Sequence, residues 1–229
     1  MKTVIITGAS GNLGKACVEK FLQTGYNVIA TVTPGKSLGF EVTGSIETVE
    51  ADLTDEGSVE QVIADNIIKY KTIDATLLLV GGYASGSVKE TNSVVLKKMF
   101  KLNFDTAYFV ARPLFQHMLG QANGGRIIFV GSRPALVAKD ANRALGYALS
   151  KSLLFKLADA LNEAGSSNNV TASVIVPSTI DTAANREAMP KSDFTTWVKP
   201  EEIADAMAHL CSSETNAWRE SVVKIYGRS

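Results

Sequence analysis

The chain has 229 residues, 45% of them hydrophobic, with 23 basic and 23 acidic side chains that cancel to a formal net charge of zero. A neutral balance supplies no long-range field for nucleic acid or an anionic membrane, so neither is expected as a partner and specificity must come from a local site. Cys17 and Cys211 are too few and too far apart for a disulfide framework or a metal knuckle; two buried thiols in a reducing cytoplasm are expected instead.

At the N-terminus Lys2 precedes only Val4-Ile5-Ile6 before Thr7-Gly8, too short a run for the core of a secretory signal. No stretch approaches the roughly 18 apolar residues of a membrane span. Short β-branched or leucine-rich runs then alternate with longer amphipathic stretches, the pattern of parallel strands joined by crossover helices. Strands are predicted at Thr3 to Thr7, Asn27 to Val32, Glu47 to Ala51, Ala75 to Val80, Arg126 to Val130, Thr171 to Val176 and Ser221 to Tyr226. Helices are predicted near Leu13 to Gln23, Ser58 to Tyr70, Asn92 to His117, Ala144 to Ala164 and Pro200 to Ser212. Consecutive apolar residues in Leu77 to Val80 and Ile127 to Val130 imply strands covered on both sides. The expected fold is α/β: a Rossmann-type, doubly wound, mainly parallel seven-stranded sheet with helices on both faces, in a single domain over 1–229.

Directly after the first strand comes Thr7-Gly8-Ala9-Ser10-Gly11-Asn12-Leu13-Gly14, followed by an amphipathic stretch. Glycines let the backbone approach a pyrophosphate, and the helix N-terminus offers it unpaired N–H groups. Gly8, Ser10, Gly11, Asn12, Leu13 and Gly14 are therefore candidate cofactor ligands, although Asn12 stands where many such loops carry a further glycine. Dinucleotide sites often place an acidic residue about 20 positions on, against the adenosine ribose. Here the second strand ends in Val32, followed by Thr33 and Lys36, whose neutral and basic groups favour NADP(H) over NAD(H). Asp52, followed by Leu53, either meets the adenine amino group or acts as a turn or cap aspartate.

Tyr147 and Lys151 lie four residues apart, on one face of a predicted helix. A free phenol titrates near 10, so only about one in a thousand is ionised at neutral pH. The ammonium of Lys151 is expected to lower that pKa, making Tyr147 an acid/base able to exchange a proton with substrate. Ser132 follows a buried strand at its carboxyl end, where open α/β sheets hold ligands.

With these motifs in hand, the chain resembles the short-chain dehydrogenase/reductases over essentially its whole length. The matching points are Thr7 to Gly14, Asp52, Gly81-Gly82, Asn103, Ser132, Tyr147 with Lys151, and Pro177 to Thr182. The resemblance implies a soluble NAD(P)-dependent oxidoreductase with Tyr147 as acid/base and Ser132 orienting a small-molecule substrate. It also implies that Lys151 binds the nicotinamide ribose, that Asn103 supports a proton-relay water, and that Pro177, Ile180 and Thr182 lie along the nicotinamide. Val80 to Gly86 and Pro177 to Trp197 resemble the dihydropteridine reductase branch. Tyr83, Ser132 and Val32 depart from that branch, and the serine-tyrosine-lysine set favours carbonyl or alcohol chemistry. The alternatives are an NADH-preferring quinonoid dihydropterin reductase and a non-catalytic NAD(P)-binding sensor or scaffold.

Ala183 to Lys199 reads as a substrate lid. Its Arg186, Met189, Phe194 and Trp197 either meet substrate, together with Tyr83, or pack the lid on the body. His117 and His209 read as helix-surface residues, with no metal expected. Val94, Val95, Met99, Phe104, Tyr108, Phe109 and Leu114 exceed what one buried face needs. With the family resemblance, that excess implies a homodimer or homotetramer.

Overall fold

The structure, a computed structural model, describes residues 1–228. Its strands are β1 (Thr3–Ile6), β2 (Asn27–Val32), β3 (Ile46–Glu50), β4 (Ala75–Leu78), β5 (Gly125–Val130), β6 (Val170–Pro177) and β7 (Val222–Ile225). They form one seven-stranded sheet in the order β3-β2-β1-β4-β5-β6-β7, and every pairing is parallel. Each predicted strand is present.

The helices are α1 (Asn12–Gln23), α2 (Glu56–Tyr70), α3 (Ser93–Phe100), α4 (Thr106–Leu119), α5 (Ala138–Ala141), α6 (Leu145–Gly165), α7 (Ala183–Ala188) and α8 (Pro200–Leu210). Because side chains alternate along a strand, the consecutive apolar residues of β1 serve two cores. Val4 and Ile6 join Cys17, Val18 and Phe21 of α1 and Ile203 and Met207 of α8. Ile5 joins Val59 and Ile63 of α2, Val110 and Leu114 of α4 and Leu154 of α6 on the other face. Each fully buried Val, Ile, Leu, Phe or Met side chain contributes about 1.5–3 kcal/mol, so burial holds the helix layers on both faces of the sheet. Among the described residues no helix is long and apolar enough to cross a membrane.

One feature departs from the predicted pattern. The stretch predicted as one helix over Asn92 to His117 is interrupted by a π-helical turn, Lys101–Asp105, between α3 and α4. Such a turn inserts an extra residue and changes which side chain faces inward; here it turns Asn103 fully inward, with 0% of its surface exposed. The β2–β3 crossover, residues 33–45, contains no helix, and the sequence predicts none there. Leu38, Phe40 and Val42 from this stretch pack against the α1-side core, and Lys15 sits 5.5 Å above the Phe40 ring.

At the far end of the sheet β7 pairs only with the carboxyl half of β6, starting at Val174. The earlier residue Ala172 is completed by a side chain: its N–H donates to Asn162 Oδ1 at 2.9 Å and its carbonyl accepts from Asn162 Nδ2 at 2.8 Å. Asn162→Ala should remove both buried bonds at once and lower stability by about 3 kcal/mol, since each buried group left unpaired costs about 1–3 kcal/mol. Urea unfolding checks this.

Candidate active site

The site begins where the strand order reverses, between β1 and β4. Thr7 Oγ1 donates to Leu77 O at 3.2 Å and accepts from Leu79 N at 2.9 Å, tying the two strands at their carboxyl ends. Gly11 N then closes a turn on Gly8 O at 3.0 Å and α1 begins. Gly11 is the N-cap of α1, with no side-chain cap and no acidic residue in the first turn, whereas Asp55 caps α2 and Asn92 caps α3. The first N–H groups of α1 are left for an outside acceptor. Ser10, Gly11 and Asn12 are exposed to it, Leu13 is half-buried, and Gly14 is buried below. A Cβ on Gly14 would lie 2.2 Å from Gly8 O, so only glycine permits this close fold of loop on helix. An uncapped helix start behind a tight glycine turn fits a dinucleotide pyrophosphate.

Further along the carboxyl edge, Thr33 and Lys36 are exposed in a turn closed by Lys36 N on Thr33 O at 2.9 Å. Asp52 Oδ1 accepts from Thr54 N at 2.9 Å and from Thr54 Oγ1 at 2.8 Å. Those bonds, the backbone one first, hold its carboxyl below the ordinary range. Asp52 is thus a turn aspartate; its neighbour Leu53 is buried, and the cap of α2 is Asp55.

Asn103 joins three segments of the pocket. Its Oδ1 accepts from Gly82 N at 2.9 Å, and its Nδ2 donates to Gly82 O and to Ser150 Oγ, each at 3.0 Å. Ser150 Oγ in turn donates to Tyr147 O at 2.8 Å. The side chain of Asn103 is therefore committed to clamping the glycine pair on α6, and any help to a relay water would have to come from its main chain. Gly81 belongs to the same packing, because a Cβ there would lie 2.6 Å from Asn103 Oδ1 and 3.1 Å from Lys151 Nζ. Ser150 was not foreseen as a site residue. Its only signal was its place between Tyr147 and Lys151.

Ser132, just past β5, is 3% exposed, and its Oγ has no hydrogen-bond partner among the described residues. It lies close enough to the Tyr147 hydroxyl to act on its pKa without meeting it in hydrogen-bonding geometry. An orphaned buried hydroxyl beside a phenol is a vacancy for a polar atom of a ligand.

The expected lowering of the Tyr147 pKa by Lys151 is not found. Burial raises the phenol above its ordinary value, the Ser132 hydroxyl works against that rise, and the Tyr83 phenol adds to it. Lys151 is 4% exposed, and its Nζ donates to Val130 O at 2.8 Å. Burial brings its own pKa down to about 8. Both groups obey the same rule, since loss of water disfavours whichever form is charged.

On the substrate side, Tyr83 is 66% exposed and stands edge-on to Tyr147, with ring centroids 5.2 Å apart. Its segment is stitched to the start of α6 by Gly86 N on Arg143 O at 2.9 Å and Leu145 N on Gly86 O at 2.8 Å. Beyond β6, the buried Pro177 leads to a bridge between Ile180 and Val198, in which Asp181 N donates to Val198 O at 2.8 Å and Val198 N to Thr179 O at 3.0 Å. The Ile180 N–H takes no part in that bridge and has no hydrogen-bond partner among the described residues. Thr182 caps α7, its Oγ1 accepting from Asn185 N at 3.2 Å.

The expected lid is partly built into the body. Trp197 is 8% exposed and packs on Phe194 at 4.8 Å. Arg186 commits its guanidinium to both oxygens of Asp181, at 2.6 and 2.8 Å, and lies 4.9 Å from the Phe194 ring. It shares a cleft with Asn12 and Thr182, which puts it on the glycine-loop side and not with Tyr83. Met189 remains exposed. His117 meets Lys71 O at 3.1 Å and His209 meets Glu214 at 3.4 Å, both at helix ends.

Lys151 makes a testable pH signature. Its folded pKa lies below the unfolded value, so between about pH 8 and 10.5 the unfolded chain binds more protons and stability rises with pH. The gain from this group is about 3 kcal/mol across that window. The buried thiols of Cys17 and Cys211, raised by burial, lose stability over the upper part of that range in both proteins, so the test is the difference: by urea unfolding from pH 7 to pH 11, wild type should gain on Lys151→Met by about that amount.

A family model described as short chain dehydrogenase matches residues 2–193. A cyclic-di-GMP-binding biofilm dispersal mediator protein of Escherichia coli is 29% identical over 222 residues, covering 94% of this chain and 91% of its own. An L-rhamnose 1-dehydrogenase (NAD(P)(+)) of a Sphingomonas species is 23% identical, with 92% and 89% covered. Among solved structures, ElxO with NADP bound superposes with a TM-score of 0.90 at 20% identity, over 99% of this chain and 97% of that one, a likeness of fold. The chain belongs to the short-chain dehydrogenase family of NAD(P)-binding oxidoreductases.

Proposed function

We propose that this oxidoreductase reduces a small carbonyl compound, or oxidises the corresponding alcohol, with Tyr147 as the acid/base. The observation that carries the reading is the buried, unpartnered Ser132 hydroxyl beside the Tyr147 phenol, at the carboxyl edge of the sheet where the glycine loop also opens. A nicotinamide, when bound, supplies or takes up hydride at the substrate carbon. Ser132 Oγ–H holds the reacting oxygen, and Tyr147 delivers its proton to that oxygen as negative charge develops there. The phenol is protonated at neutral pH, as an ordinary phenol is, and burial reinforces this, so in the free site it stands as a proton donor. The Lys151 ammonium, beside Gly81 in the same pocket, supplies the positive charge that opposes the phenolate left behind. Gly8 to Gly14 would hold the pyrophosphate, and the free Ile180 N–H would hold the carboxamide. Tyr83 supplies the wall that substrate meets first. Two copies are proposed to pair across α4 and α6, where Tyr108, Leu149 and Leu153 stay exposed.

Oxidation of reduced cofactor should be followed with a panel of ketones, quinones and dihydropterins. Tyr147→Phe should lower kcat by about 10³-fold while leaving cofactor binding within about twofold of wild type. Unchanged kcat in that variant would remove Tyr147 from the chemistry. Turnover of dihydropterins alone would assign the pteridine reading. No turnover across the panel, with cofactor still bound, would favour a non-catalytic binding protein.

A further inference from the structure

The acidic ligand missing from the end of β2 has a replacement on the neighbouring strand. Val32 pairs in register with Glu50, the last residue of β3. Val28 and Ala30 pack in the α1-side core, and strand alternation puts Val32 on that same side. Ile46 packs there too, while Val49 and Ala51 pack in the opposite core, so Glu50 faces the same way as Val32. Its carboxylate therefore stands one strand over from the position where dinucleotide sites hold the adenosine ribose, at the same carboxyl edge.

The crossover over residues 33–45 leaves that carboxylate uncovered. Without a helix in the crossover, Glu50 lines an open groove of about 710 Å³ together with Lys36, Phe40, Glu41 and Thr48. Glu50 Oε2 accepts from Gly35 N at 2.9 Å, which fixes the side chain against the turn after β2. Its Oε1 accepts no hydrogen bond among the described residues.

We propose that Glu50 is the residue that selects the cofactor, accepting from the adenosine ribose diol and so making the enzyme specific for NAD(H). This rests on the reading of the glycine loop as a dinucleotide site, and it reverses the preference suggested by Thr33 and Lys36. A diol presents donors, which a carboxylate accepts. A 2′-phosphate presents two negative charges to a groove where Glu41 and Glu50 outnumber Lys36.

The test is equilibrium binding of NADH and of NADPH, read by cofactor fluorescence, with the full chain and with Glu50→Gln. Glutamine keeps an acceptor for Gly35 N, so the turn is preserved. Wild type should bind NADH at least about tenfold more tightly than NADPH. In Glu50→Gln, NADH binding should weaken by about tenfold, the difference between a charged and a neutral acceptor, and the gap between the cofactors should close. Equal or tighter binding of NADPH by wild type overturns the proposal, even if the variant fails to fold. An unchanged ratio in a folded variant overturns it as well. If wild type binds neither cofactor, the dinucleotide reading of the glycine loop falls together with the proposal.

Discussion

The active site depends on one buried amide. Asn103 has no contact with water, and three of its hydrogen bonds run to two other segments, the Gly81-Gly82 turn after β4 and Ser150 on α6. Those segments carry the residues that face the pocket: Tyr83 on one side, Tyr147 and Lys151 on the other. A polar group in an apolar interior is costly unless all its partners are in place, so the geometry of the amide is enforced by the penalty for leaving it. The π-helical turn between α3 and α4 makes that geometry reachable, since it rotates Asn103 inward while Met99 and Thr106 on either side stay packed.

Desolvation then sets the chemistry of the groups so positioned. Tyr147 and Lys151 are neighbours on one helix, and attraction between phenolate and ammonium would stabilise both charges. In the free protein neither group feels that attraction and burial governs both, with the phenol raised and the ammonium lowered. The ammonium finds a neutral carbonyl, Val130 O, where a negative partner would have kept its pKa high. The protein thus holds a neutral acid next to a weakened cation.

The fold was legible because its signals are local. Consecutive apolar residues in β1, β4 and β5 mark strands covered on both faces, and a glycine run between a strand and an amphipathic helix marks the loop at the strand-order reversal. The Tyr147 and Lys151 spacing and the placement of Ser132 after β5 were equally readable. What escaped depends on partners distant in sequence. The break at Lys101–Asp105 answers to Gly82, 21 residues away from Asn103, and nothing within Asn92 to His117 announces it. For Trp197 and Arg186 substrate contact and packing stayed open alternatives, because a polar, aromatic stretch carries no record of what it lies on. In the structure the first is buried and the second is bound to Asp181. The direction of the Tyr147 shift was misread for the same reason, because spacing gives the neighbouring charge but not the loss of solvent.

The edge of the sheet shows how a strand pairing can carry chemistry that the linear order hides. Val32 and Glu50 are 18 positions apart, yet parallel register makes them lateral neighbours with side chains on one face. A requirement stated as an acid at the end of β2 is, in physical terms, a requirement for a carboxylate at one point of the carboxyl edge, and either of two adjacent strands can reach it. The helix-free crossover matters because a helix packed over β2 and β3 would cover the face on which Glu50 stands. With Leu38, Phe40 and Val42 closing the α1-side core from a loop instead, the core is sealed while Glu50 stays open to the groove. A connection without a helix thus leaves both the cover off and the charge exposed. That charge lies beside the turn after β2, held there by Gly35 N, so the carboxylate is oriented before any ligand arrives.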